Sequence, residues 1–321
     1  MHTAPQAHPG RRTGKTLLLV TAMVAAALAA LLIVACGDDN GGEGGLSGTI
    51  VGDGSSTVYP ISEAVAEEFG KVAPGVRVVV GISGTGGGFK KFCNGETDFS
   101  DASRPIKDSE REACASKAIE WVDFQVAFDG LSVMVNPKND FVQCLTVDEL
   151  KRIWEPGSTV DSWDDVRPEW PDESIALYGP DTDSGTFDYF TEVIVGEEDA
   201  SRPDYTASAD DNVLVQGIAG DEDALGYFGY AYYVENTDKL KLVAVDGGEG
   251  CVLPTRESVL DGTYKPLSRP LFVYVRQDAL DQPEVAEFMR FYLTEGRPLV
   301  AEVGYVEAPE SAYQEGLTLI P

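Results

Sequence analysis

"VRVVVGISGTGGGFKKF", residues 76–92, decides how the rest of the chain is read. Its first seven residues are a β-branched run typical of a strand, its last residues open a helix, and serine, threonine and glycines lie between. A strand that ends in a small-residue turn and leads into a helix is the building unit of an α/β protein. The same unit recurs on both sides. Upstream, "TIVGD" (49–53) passes through "GSSTVYP" into "ISEAVAEEFGKV"; downstream, "DFSDAS" (98–103) precedes "KDSEREACASKA", and "IALYG" (175–179) passes through "PDTDSGT" into "FDYFTEVI". This alternation predicts an α/β class with mainly parallel sheets flanked by helices, and there is no internal repeat.

Two extended stretches punctuate the pattern. "EWVDFQVAFDGLSVMVN" (120–136) reads as two adjoining extended runs, and Gly130 to Asn136 is taken as a crossing between domains. "RPLFVYVR" (269–276) is the return crossing. The expected organisation is therefore a discontinuous first lobe, 47–130 plus 269–321, and a second lobe, 131–268. A chain of 321 residues with 43% hydrophobic content suits two domains. Within the second lobe, "ALGYFGYAYYVEN" (224–236) reads as an aromatic, hairpin-like stretch that packs core and edge.

The N-terminus sets the compartment. Arg11, Arg12 and Lys15 precede a long apolar run that ends Ile33-Val34-Ala35-Cys36, the pattern of a lipoprotein signal peptide over 1–35 with Cys36 acylated. "GDDNGGEGG" then forms a flexible tether over 36–46. The alternative is an uncleaved membrane anchor. The remaining cysteines, Cys93, Cys114, Cys144 and Cys251, form an even set in an oxidising location. They allow three pairings; Cys93–Cys114, closing a short loop, and Cys144–Cys251, tying distant segments, are favoured.

Charge and histidine usage exclude several functions. The net charge is −30, and −33 beyond residue 35, a surface that repels nucleic acid and anionic lipid. Both histidines, His2 and His8, fall in the expected signal peptide. That removes Ser-His-Asp and Cys-His catalysis and the usual zinc sites, and no metal or cofactor is expected.

Three segments share one functional design: Ser55, Ser56 and Thr57 in the first loop, Ser83 and Thr85 among glycines in the second, and Ser184, Gly185 and Thr186 in the third. At each, unpaired N–H groups and hydroxyls at a helix start favour an anion, and glycine admits it closely. "DASRPI" adds Ser103 and Arg104, whose planar fork suits an oxyanion. No Gly-Lys-Ser/Thr follows the glycines, which disfavours a nucleotide.

"GSSTVYPISEAVAEEF", "SGTGGGFKKFCNGETDFSDASRPI" and "YGPDTDSGTFDYF" together resemble the phosphate-binding protein of the bacterial phosphate ABC transporter, and the likeness runs from about Gly48 to the C-terminus. The resemblance implies a two-lobed type II periplasmic-binding-protein fold, a lipid-anchored monomer outside the cytoplasmic membrane, and delivery of phosphate to permease subunits, without catalysis. It points to Ser56, Thr57, Thr85 with Ser83 nearby, Ser184, Gly185 and Thr186 as ligands. Two departures stand out: no arginine precedes the Ser-Gly-Thr, and Ser103-Arg104 occupies the place of an aspartate at the third strand's end. Arg104 is therefore expected to supply the guanidinium. Phosphate keeps a proton near neutral pH where sulfate does not, so a buried acceptor carboxylate would select it. Asp101, Asp129 and Asp183 are candidates, with Asp129 preferred. The alternatives are a binder of sulfate, molybdate or tungstate, and a secreted phosphohydrolase.

Overall fold

The computed structural model describes residues 45–182 and 184–321; the expected signal peptide, Cys36, most of the tether and Asp183 lie outside the described residues. Residues 45–321 form a compact unit. Twelve strands appear in chain order: β1 (Gly48–Gly54), β2 (Val76–Ile82), β3 (Phe99–Ala102), β4 (Trp121–Val135), β5 (Cys144–Thr146), β6 (Ala176–Pro180), β7 (Thr206–Ser208), β8 (Ala224–Gly229), β9 (Lys241–Asp246), β10 (Cys251–Val252), β11 (Ser268–Arg276) and β12 (Val306–Glu307). The main path runs β2-β1-β3-β11-β4-β8-β6-β7.

Each end of this path is parallel. β1 pairs parallel with β2 and β3, and β6 with β7 and β8, as the strand-turn-helix units require. The middle is antiparallel, because β11 returns beside β3 and β4, and β4 lies antiparallel to β8. The two crossing strands thus make the sheets mixed. Residues 121–135 form one continuous strand of 15 residues, where the sequence suggested two runs. Its first part pairs with β11 and its last part with β8 and β9, so a single strand serves both sheets.

Two main cores follow from this arrangement. One gathers Ile50, Val65, Phe69, Phe99, Phe124, Val273, Phe288 and Tyr292. The other gathers Leu131, Val133, Trp154, Trp163, Phe190, Tyr227 and Val243. Along β4 the change of core falls between Ala127 and Phe128. The helix Tyr59–Val72 shows how local pattern serves packing: Pro60 sits in its first turn, and Ile61, Val65 and Phe69, spaced four apart, are buried. Phe69 meets Phe288 edge-on at 5.4 Å between ring centres.

Cys93 is bonded to Cys114 and Cys144 to Cys251, the favoured pairing. The aromatic stretch at 224–236 is a correction: β8 ends at Gly229 and Tyr230–Glu235 is a helix. A hairpin return has no edge to use, since β4 and β6 already flank β8. Among the described residues no helix is long and apolar enough to cross a membrane.

Candidate anion-binding site

The first loop caps β1. Ser55 N–H donates to the Asp101 carbonyl at 3.0 Å, and Ser55 Oγ accepts from Thr57 N–H at 3.2 Å. These bonds bind the loop to the end of β3 and leave Ser56 the half-exposed member of the trio. The second loop follows β2. Gly88 is needed there, because a Cβ would lie 2.6 Å from Gly54 Cα; the helix Gly84–Phe92 can press onto the first loop only without one. Ser83 Oγ donates to Asp53 Oδ1, and Asp53 Oδ2 also takes Lys91 Nζ at 2.5 Å. Ser83 therefore braces the loop, while Thr85 faces Ser103, with 3.1 Å between the hydroxyls.

These parts line a cavity of about 620 Å³ together with Arg104, Lys107, Asp188, Tyr189, Glu192, Glu198 and Arg269. Arg104 is on the wall but its fork is already engaged: Nη1 and Nη2 donate to the two Glu110 oxygens at 2.9 and 2.8 Å. Glu110 also accepts from Lys107 N–H, and although burial opposes it, these partners hold its carboxyl below the usual range. Arg104 thus stands on the cavity wall with its fork shared with Glu110.

Arg269 was missed as a site residue. It lies on β11 directly opposite Asp129 on β4. Its Nη2 donates to Thr57 Oγ1 at 2.8 Å, its Nε to Asp129 Oδ2 at 3.3 Å, and its guanidinium carbon lies 3.6 Å from the centre of the Tyr189 ring. Nη1 makes no hydrogen bond among the described residues. The side chain is only 13% exposed. Stacking and one carboxylate thus fix its plane and leave donor capacity toward the cavity. A signal is present in the sequence: "EWVDFQVAFDG" and "RPLFVYVR" are both extended runs, and their antiparallel pairing in the observed register sets Arg269 against Asp129.

Asp129, the preferred selectivity carboxylate, is buried behind Arg269 and does not line this cavity. Burial raises its proton affinity and Arg269 pulls it back. Asp101 is fully buried beneath the first loop, where burial pushes its pKa up to about 8. Asp183 lies outside the described residues.

The third loop meets the first. Ser184 Oγ accepts from Thr186 N–H at the start of the helix Gly185–Phe190, and Thr57 Oγ1 lies 3.5 Å from the Gly185 carbonyl. Ser184, Gly185 and Thr186 line a second cavity, of about 450 Å³, with Asp129, Asp181 and Asp211; Ser56 belongs to both cavities. So the structure gathers Ser56, Thr57, Ser83, Thr85, Ser103 and Arg104 around one space, and brings the Ser-Gly-Thr against it through Thr57 and Ser56. Asp188, one turn further, accepts from Ser56 Oγ at 3.1 Å. No cluster among the described residues has the make-up to hold a metal ion.

Residues 40–295 match the PBP superfamily domain. The chain is 52% identical over 273 residues to protein SphX of Synechocystis, covering 84% of this chain and 81% of that protein. It is 42% identical over 281 residues to phosphate-binding protein PstS of Staphylococcus saprophyticus, covering 87% and 86% respectively. Among solved structures, a possible phosphate binding protein from Planctomyces limnophilus matches with a TM-score of 0.82 and 52% identity, over 86% of this chain and 98% of that one.

Proposed function

The chain belongs to the PBP superfamily, and from that membership we propose that it binds inorganic phosphate in a cleft outside the cytoplasmic membrane and hands it to an ABC transporter permease for import. It works as a binding and delivery protein, without a catalytic step or cofactor. Residues 47–130 with 269–321 form one lobe and 131–268 the other, and they close about the paired crossing strands. Residues 1–35 are removed as a signal peptide, and the mature monomer is held at the outer face of the membrane through lipid on Cys36.

The observation that carries this reading is Arg269. In a chain of net charge −30, a guanidinium is held nearly buried at the meeting of the two cores, stacked on Tyr189 and bonded to Thr57, with donors left for an oxyanion. Thr57 and Thr85 hydroxyls and the N–H groups that open the helix Gly84–Phe92 complete the grip. Hydrogen bonds to a charged ligand contribute roughly 1.5–3 kcal/mol each, so four or five supply the ~8 kcal/mol of micromolar binding.

The test is calorimetric titration of the 45–321 unit, which contains both cores and both disulfides, after bound anion is stripped by unfolding and refolding. Micromolar or tighter phosphate binding is expected. Arg269→Lys keeps a cation for Asp129 but loses the fork, and should weaken phosphate about 10-fold, the value of one charged hydrogen bond. A variant that binds phosphate as tightly as the parent would refute the role given to Arg269, and tighter binding of molybdate or sulfate than phosphate would refute the assigned ligand.

A further inference from the structure

We propose that Glu110 is a positioning residue of the anion site: it holds Arg104 by the end of its fork and so presents the side edge of the guanidinium, Nε with the second Nη2 hydrogen, to the ligand. The inference deepens the phosphate reading above and rests on it. A guanidinium carries five N–H donors in a rigid plane and can meet an oxyanion end-on through both Nη groups or side-on through Nε and Nη2. In Arg104 the end is taken. Nη1 donates to Glu110 Oε2 at 2.9 Å and to the Pro105 carbonyl at 3.2 Å, and Nη2 donates to Glu110 Oε1 at 2.8 Å. Nε makes no hydrogen bond among the described residues, and Nη2 keeps its second hydrogen.

The remaining edge belongs to the cavity side. Arg104 and Gly86 both line the cavity, and a Cβ on Gly86 would come to 3.9 Å from Arg104 Nη2. That nitrogen therefore lies beside the first turn of the helix Gly84–Phe92, where Thr85 lines the same space. Glu110 is not among the lining residues; it stands behind the arginine with its side chain only 17% exposed.

Glu110 can orient its partner because it is itself held. It lies in the first turn of the helix Asp108–Ser116, and its Oε2 also accepts Lys107 N–H at 2.8 Å, which closes that turn. Four residues on, Cys114 is bonded to Cys93, the residue that ends the helix Gly84–Phe92. Phe89 of that helix lies 5.8 Å from the Arg104 guanidinium carbon, and Ile106 N–H donates to the Tyr274 hydroxyl on β11 at 3.1 Å. The second anion loop, Arg104 and its acceptor thus share one cross-linked frame.

Charge and orientation make opposite predictions for this pair. Removing the Glu110 carboxylate takes a negative charge away from the neighbourhood of the ligand, which by Coulomb attraction alone would tighten an anion. If Glu110 positions Arg104, its removal must weaken the anion instead.

The experiment is a double-mutant cycle on phosphate affinity in the 45–321 unit, read by calorimetry. Arg104→Met should weaken phosphate about 100-fold and Glu110→Ala about 10-fold, in line with charged hydrogen bonds lost outright or left unaligned. On the Arg104→Met background, Glu110→Ala should change the affinity less than about 2-fold, since a cap lost from the helix would act whether or not the arginine were present. Nitrogen-15 NMR supplies a direct signature: the Nε–H signal that disappears in Arg104→Met should be sharp in the parent, shift on addition of phosphate, and be broadened by exchange with water in Glu110→Ala. Unchanged or tighter phosphate binding by Glu110→Ala, or an equal loss on both backgrounds, would overturn the proposal. An Nε–H signal in the parent that phosphate does not move would overturn it even if Glu110→Ala failed to fold, which circular dichroism reports. Parent-like affinity in Arg104→Met would overturn it while leaving the role of Arg269 standing, whereas a parent that binds no phosphate would overturn the reading of the site and this inference with it.

Discussion

Replacing Asp101 by asparagine should flatten the dependence of stability on pH. Asp101 lies one residue before the end of β3 with no exposed surface; Ser62 Oγ donates to its Oδ1 at 2.9 Å, and Oδ2 has no hydrogen-bond partner among the described residues. Burial is the main cause that lifts its pKa from 3.8 to about 8; Ser62 opposes it and nearby Asp53 adds to it. The folded state therefore holds a proton that the unfolded chain releases near pH 4. Stability from this group is fully present below that pH and is lost as pH rises, until the carboxyl ionises in the folded state as well near pH 8. At ~1.4 kcal/mol per unit, the loss between pH 5 and pH 8 amounts to about 4 kcal/mol, an order-of-magnitude figure. Asparagine keeps the shape and a donor but cannot ionise. Urea unfolding of the parent and Asp101→Asn between pH 5 and pH 8.5 measures the difference directly, since other groups titrate alike in both. The variant should gain on the parent by several kcal/mol across that range. Parallel pH profiles would refute the claim that Asp101 is protonated in the fold. The backbone carbonyl of Asp101 also receives Ser55 N–H of the first loop.

Two further substitutions probe closure and bracing. A Cβ at Gly185 would lie 2.9 Å from Thr57 Cα and Oγ1 and 3.0 Å from its N–H nitrogen, so Gly185→Ala should weaken phosphate at least about 10-fold by holding the third loop off the first, the cost of one charged hydrogen bond. Small-angle scattering should show a more open molecule, and an unchanged affinity would count against the contact as part of the closed state. Removing Cys144–Cys251, with a sequence separation of 107, should destabilise the unit more than removing Cys93–Cys114, with a separation of 21. Loop entropy sets the difference at about 1.4 kcal/mol; equal losses in denaturant unfolding would speak against that account.

Local features of the site were legible in the sequence because each lies within one strand-turn-helix unit. Ser56, Thr57, Ser83, Thr85 and the Ser-Gly-Thr needed only recognition of where a strand stops and a helix starts. What escaped depends on pairing between distant segments. Arg269 became a site residue only when β11 was set antiparallel to β4, which places it opposite Asp129. Asp188 was within the quoted stretch, but its bond to Ser56 spans 132 residues. The partner of Arg104 is local as well: Glu110, six residues on, accepts from both its Nη groups and from Lys107 N–H.

The acidity of the chain and its anion site are reconciled by distance. Along the cavity wall Arg104, Lys107 and Arg269 stand with Asp188, Glu192 and Glu198, so the wall is formally neutral inside a protein of charge −30. The cations come from the 104–107 segment and β11, and the carboxylates from 188–198, so the two signs are supplied by different segments of the chain. Surface charge more than about 8 Å away is largely screened at physiological salt, while donors at hydrogen-bond distance in a nearly buried pocket are not. The surface field therefore governs how often phosphate arrives, and the local donors govern whether it stays. Arg269 needs Asp129 for the same reason. A guanidinium buried alone would carry a large desolvation cost; the Asp129 carboxylate behind it and the Tyr189 ring it stacks on offset that cost and hold its orientation.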